Sequence, residues 1–163
     1  MADGVGAMAL RPGTGAAVPR AALALELEGE ASEVRAVLAR VTAALRLAGI
    51  AEGPCGIVEL VLAEALNNVA EHAYAGALPG WIRLRLETHP EAVRLELRDR
   101  GRPMPNLVLP LGRPKPLGAA GDLPEGGFGW YLIRRLAAEV AYRREAGENV
   151  LEMLVRLPGA GAD

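Results

Sequence analysis

Five polar residues recur along one short stretch of the chain: Glu64, Asn67, Asn68, Glu71 and His72. At about 100° per residue they fall within an arc of roughly 140° on a helix. A carboxylate and a carboxamide one turn apart offer a single site a proton acceptor and a neutral oxygen ligand. That pairing suits a magnesium ion that keeps most of its waters while a base works beside it. The same pattern also describes an ordinary solvated helix face, and this segment alone leaves both readings open.

Two further segments carry chemistry of their own. In Leu97-Arg98-Asp99-Arg100-Gly101-Arg102-Pro103 a strand pattern ends, an acid follows, and a glycine lets the backbone turn or approach a neighbour closely. A strand-end aspartate can accept a hydrogen bond from an exocyclic amine such as that of adenine, although Asp-x-Gly is also common turn composition. In Glu125-Gly126-Gly127-Phe128-Gly129-Trp130 the glycines lead into a helical pattern whose free N–H groups and positive dipole end form an anion site. A flexible hinge before a helix has the same composition. No Gly-Lys-Ser/Thr follows, so this is not a Walker loop.

Positioning these groups requires a definite set of elements. Leu23–Glu28 alternates as a strand, and Val34, Val37, Leu38, Val41 and Leu45 recur at helical spacing, with Ser32 as the expected N-cap and Gly49 as the stop. A second helix is expected from Pro54 to Tyr74, with Val58, Leu62, Leu66, Val69 and Ala73 facing the core. Trp81–Glu87 and Ala92–Arg98 alternate strictly, and the short link between them predicts an antiparallel hairpin. Its polar face carries Arg83, Arg85, Arg94, Glu96 and Arg98, the pattern of a solvated sheet face with cross-strand ion pairs or of a basic binding stripe. Residues 102–126 hold six prolines and read as one long loop. A helix from Phe128 to Ala138 and strands at Val140–Tyr142 and Asn149–Leu157 complete the order β-α-α-β-β-loop-α-β-β. That order predicts an α+β two-layer sandwich, a mostly antiparallel mixed sheet with helices on one face.

Composition narrows the classes. The 163 residues suit one domain, with residues 1–20 read as a flexible Gly/Ala/Pro-rich tail and 21–158 as the folded unit. Seventeen Arg and one Lys are matched by 20 acids, for a formal charge of −2, which gives no field for nucleic acid. One cysteine and two histidines exclude a disulfide framework and a Cys/His zinc cluster. No apolar run is long enough to span a membrane. A cytoplasmic location fits these features.

Glu64-Ala65-Leu66-Asn67-Asn68 on a helix, Asp99-Arg100-Gly101 after a strand and Gly126-Gly127-Phe128-Gly129 before a helix occur in that order. Their types and spacing resemble the GHKL (Bergerat-fold) ATPases, and within them the bacterial anti-sigma-factor serine/threonine kinases, over about residues 21–157. The resemblance implies that Glu64 is the catalytic base and Asn68 the ATP-binding residue that holds Mg2+. It likewise implies that Asp99 reads adenine, that Gly101 allows close approach, and that Gly127, Phe128 and Gly129 form the phosphate-cradling turn. Residues 102–126 would then be an ATP lid, with Arg113 and Lys115 as its cations for the terminal phosphate. An anti-anti-sigma (STAS) protein would be the substrate and a sigma factor a second partner, with homodimerisation compatible. Arg100, Arg102, Pro103 and Asn149 depart from the family pattern, while His72 and Tyr74 resemble family positions either as nucleotide contacts or as structural support. The competing function is a nucleotide-sensing anti-sigma or adaptor module without kinase turnover, and a third is an ATPase domain that uses water as nucleophile.

Overall fold

Strict alternation in the strand segments becomes register in the structure. The computed structural model describes residues 18–76, 80–112 and 128–158. Five strands, β1 (Ala21–Glu28), β2 (Trp81–Thr88), β3 (Ala92–Asp99), β4 (Glu139–Glu145) and β5 (Glu148–Arg156), form one sheet in the order β1-β2-β3-β5-β4. All four pairings are antiparallel. Leu84 lies opposite Leu97, Leu97 opposite Leu151, and Asp99 opposite Asn149. Because side chains alternate with period two, this register sends Leu25, Leu27, Ile82, Leu84, Leu86, Leu95, Leu97 and Met153 to one face.

Three helices cover that face: α1 (Ala31–Leu47), α2 (Glu52–Asn68) and α3 (Phe128–Leu136). α2 lies in the middle, packed against α1 and α3. Val41, Leu45, Val58, Leu62 and Leu66 lose all contact with water against the sheet, each burial of this kind being worth about 1.5–3 kcal/mol. The result is the α+β two-layer arrangement that the pattern predicts.

Boundaries shift in ways that have physical causes. α1 starts at Ala31 with Glu30 at the N-cap, so Ser32 sits inside the helix, exposed, and caps nothing. The carbonyl of Glu30 already accepts from the N–H of Val34, and the Glu33 carboxylate accepts from the N–H of Glu28. At the other end the N–H groups of Gly49 and Ile50 take the carbonyls of Arg46 and Leu45, the double closure of a Schellman end. α2 starts two residues before Pro54, which the first turn tolerates because its N–H groups have no intrahelical acceptor. A two-pronged Arg46–Glu52 ion pair joins the two helix ends.

The largest departure is at the other end of α2. After Asn68 the coil widens into one turn of π-helix, Val69–Ala73, instead of continuing as α-helix to Tyr74. Tyr74 is then held in place structurally: its hydroxyl donates to the Trp81 carbonyl at 2.7 Å and accepts from the Arg100 N–H at 3.0 Å. Burial pushes its phenol pKa up.

Candidate functional site

At the C-terminal end of α2 the helix layer and the sheet separate around a cavity of about 330 Å³. That is enough for a compact heterocyclic ligand. Its wall is mostly apolar, with Ala65, Val69, Met104, Trp130 and Leu151 prominent, while Asn68, His72, Asp99, Arg102 and Asn149 supply polar atoms. His72 and Ala73, in the π-turn one turn on from Asn68 and Val69, line the same cavity.

Asp99 ends β3 on the helix side of the sheet and is 4% exposed. Its Oδ1 accepts from the Gly101 N–H and from Asn149 Nδ2, each at 2.8 Å. Among the described residues no donor reaches its Oδ2. Burial holds the carboxyl above the ordinary aspartate range, against the pull of the Asn149 and Gly101 hydrogen bonds and the Arg144 charge. Asn149 is equally buried, and its Oδ1 accepts from the Tyr142 hydroxyl and from Arg144 Nη1, both at 2.7 Å.

Gly101 is needed for a reason internal to the fold. A Cβ there would lie 2.5 Å from the Ala73 carbonyl oxygen and 2.6 Å from the Ala73 Cβ, and the next N–H, of Arg102, donates to that same carbonyl. The close approach it permits is therefore that of the strand end to the π-turn.

Glu64 and Asn68 lie one turn apart on α2, beneath the start of α3. A Cβ on Gly129 would meet Glu64 Oε2 at 2.6 Å and the two amide atoms of Asn68 at 3.6 and 3.7 Å. Gly129 thus brings the N-terminal end of α3 onto both side chains. Asn68 Nδ2 is fully buried and has no hydrogen-bond partner among the described residues, a condition that normally costs about 1–3 kcal/mol. Glu64 is half-buried and lies just outside the cavity lining. Phe128 opens α3 and is 38% exposed. Gly127, Arg113 and Lys115 lie outside the described residues. Of the long loop, residues 102–112 are described: Arg134 Nε on α3 donates to the Pro110 carbonyl at 2.8 Å and fixes the loop beside the cavity.

The structure thus brings Asn68 and Asp99, both singled out in the sequence, to one cavity, with Glu64 and Gly129 beside it. Sequence signals missed Tyr142, Trp130 and Met104, and marked Asn149 only as a departure. One signal was present: a polar residue at the core-facing start of an alternating strand.

A model of the histidine kinase-like ATPase domain matches residues 27–155. The chain belongs to this family. Among curated proteins it is similar to the serine/threonine-protein kinase BtrW of Bordetella bronchiseptica, at 33% identity over 93 residues. The match takes in 55% of this chain and 62% of that protein, so the chain spans less than two thirds of its relative's length. In fold it is similar to the structure of the RsbU and RsbW domains of Rv1364c from Mycobacterium tuberculosis, with a TM-score of 0.58 and 19% identity. That likeness covers 84% of this chain and 32% of the other.

The site of this histidine kinase-like ATPase domain fits the ligand that its family implies. An apolar cavity with a single open carboxylate oxygen suits a flat base carrying an amine. Among the described residues, the buried Asn68 Nδ2 is a donor that the protein itself leaves unsatisfied. Among the described residues no group of three or more His, Cys, Asp or Glu side chains could cage a metal. Magnesium bound through one amide oxygen, water and phosphate needs no such cage. No helix of the described residues is long and apolar enough to cross a membrane.

Proposed function

We propose that the protein is an ATP-dependent serine/threonine kinase acting on an anti-anti-sigma (STAS) protein, and that it also binds a sigma factor in the cytoplasm. One observation carries the reading: Glu64 and Asn68 meet the glycine-led start of α3 beside a cavity whose floor is Asp99. The 33% identity to a serine/threonine kinase supports it. The anti-sigma part rests on the motif resemblance.

In this reading Asp99 Oδ2 accepts the exocyclic amine of adenine, and Val69, Met104 and Leu151 exclude water from the base. The free N–H groups at the start of α3, with Gly127, Phe128 and Gly129, receive the phosphates. Glu64 accepts the proton of the attacking serine or threonine hydroxyl, a role worth about 10²–10⁴ in rate. The Asn68 carboxamide would hold magnesium by its oxygen. Magnesium, when bound, neutralises charge on the phosphate oxygens. The chain's own share is positioning: Gly129, lacking a side chain, leaves the space in which the Glu64 carboxylate stands. Glu64 lies outside the cavity lining, which favours a second reading, a nucleotide-sensing module without turnover.

Purified protein mixed with magnesium, γ-labelled ATP and a STAS protein tests both. Wild-type protein should transfer label, and Glu64→Gln should bind ATP with similar affinity by calorimetry while transferring none. ATP binding without transfer by the wild type would establish the sensing module. Equal transfer by Glu64→Gln would remove Glu64 as the base.

A further inference from the structure

Asp99 offers the cavity one of its two oxygens. Oδ1 is taken twice, by the Gly101 N–H and by Asn149 Nδ2. Asn149 cannot turn over to release it. Its own Oδ1 receives the Tyr142 hydroxyl and Arg144 Nη1, and its Nδ2 also points at the Arg102 carbonyl at 3.0 Å. The Tyr142 hydroxyl accepts from the Met104 N–H at 3.0 Å, so its proton is directed at Asn149. Arg144 is a donor only. Each partner therefore fixes the same end of the amide toward Asp99.

A carboxylate with both oxygens free takes two parallel donors, as it does from an arginine fork. Guanine presents such a pair on one edge, its N1–H and its 2-amino group. Adenine presents one amine beside an acceptor. With Oδ1 occupied, a second ligand donor would face the N–H of Asn149, donor against donor, and a buried unpaired donor weakens binding strongly. We propose that Asn149 is a specificity-determining positioning residue, which makes Asp99 a one-point acceptor and so selects adenine over guanine nucleotides. The proposal rests on the reading of Asp99 as the residue that meets the base.

Affinities of wild type and Asn149→Leu for ATP, GTP and ITP, measured by calorimetry with magnesium, decide it. ITP keeps the N1–H of guanine and lacks the 2-amino group. Wild type should prefer ATP over GTP and bind ITP more tightly than GTP, because only GTP brings a second donor against the Asn149 N–H. In Asn149→Leu the ATP preference over GTP should shrink about tenfold or more, and GTP should overtake ITP. Loosening of the pocket alone would weaken all three together and leave the ratios unchanged, which would overturn the proposal. The wild-type comparison decides even where the variant does not fold: GTP binding about tenfold tighter than ITP would show that Asp99 takes both donors. Wild-type protein that binds no purine nucleotide would overturn the reading of Asp99 itself, a result distinct from binding with unaltered selectivity.

Discussion

The two faces of the sheet use polar residues in opposite ways. On the face away from the helices, Arg98 bonds Glu96 at 2.8 Å and Glu145 at 3.3 Å, and Arg143 bonds Glu145 at 3.0 Å and Glu152 at 2.6 Å. Arg83 reaches Glu26 and lies 4.7 Å from the Trp81 ring centre, with Arg100 at 5.1 Å. Val150 stands in register between Arg98 and Arg143 and is fully buried under their stems. The basic stripe legible in the sequence is thus a roof of ion pairs with its charges largely used up. On the helix face polar groups are few, and among the described residues two of them keep unused capacity: Asn68 Nδ2 has no partner and Asp99 keeps an open oxygen, while Asn149 and Tyr142 are fully engaged. A binding site here is marked by unspent hydrogen-bonding capacity, whereas density of charge marks only a solvated surface.

Substitutions that exchange these roles test the contrast. The largest effect is expected from Asp99→Asn, which keeps an acceptor for Gly101 and Asn149 and removes the charge facing the cavity. Calorimetry should show ATP binding weakened by about 1.5–3 kcal/mol. The same variant should melt higher than wild type at neutral pH. Burial raises the pKa of Asp99 in the fold, so between the ordinary aspartate range and that raised value the native protein holds a proton that the unfolded chain has lost. Stability from this group therefore falls as pH rises through that window, and Asn escapes the penalty. Melting curves of the two proteins should converge at pH values below the ordinary aspartate range. A variant less stable than wild type at neutral pH would show that the carboxylate serves the fold.

Gly101→Ala comes next. Its methyl group has nowhere to go except into the Ala73 backbone, so chemical denaturation should register a loss of about 1–3 kcal/mol. Unchanged stability would mean that the strand end and the π-turn separate freely. The smallest effect belongs to the open face. Arg83→Ala breaks an exposed pair and a ring contact, and should cost no more than about 1 kcal/mol. ATP affinity should not move, and a change there would break the division between the faces.

Local signals in the sequence account for the elements and their buried faces. Alternation at Leu84, Leu95 and Leu151 and helical recurrence at Val41, Leu45, Val58 and Leu62 name their own buried faces, because side-chain direction repeats with the backbone. Ser32 misled: a favourable cap residue does not start a helix when the chain before it already has helical bonding from Glu30. The π-turn was invisible, since nothing in Val69–Ala73 distinguishes a wide turn from a tight one. Asn149 was hidden for another reason. Its meaning depends on meeting Asp99, 50 positions earlier, across a strand pairing that neither segment announces.

That pairing also governs when the site can exist. β5 is the last of the described strands yet lies inside the sheet, between β3 and β4. A nascent chain that has made β1, β2 and β3 holds Asp99 at a bare strand edge, without Asn149 beside it. The floor of the pocket forms only once β5 is inserted beside β3, by a contact of long sequence separation that closes slowly. Until then the edge of β3 is open to other chains. Completing the sheet therefore also completes the cavity floor, and a ligand of this cavity added during refolding should hold only molecules in which β5 is already paired with β3.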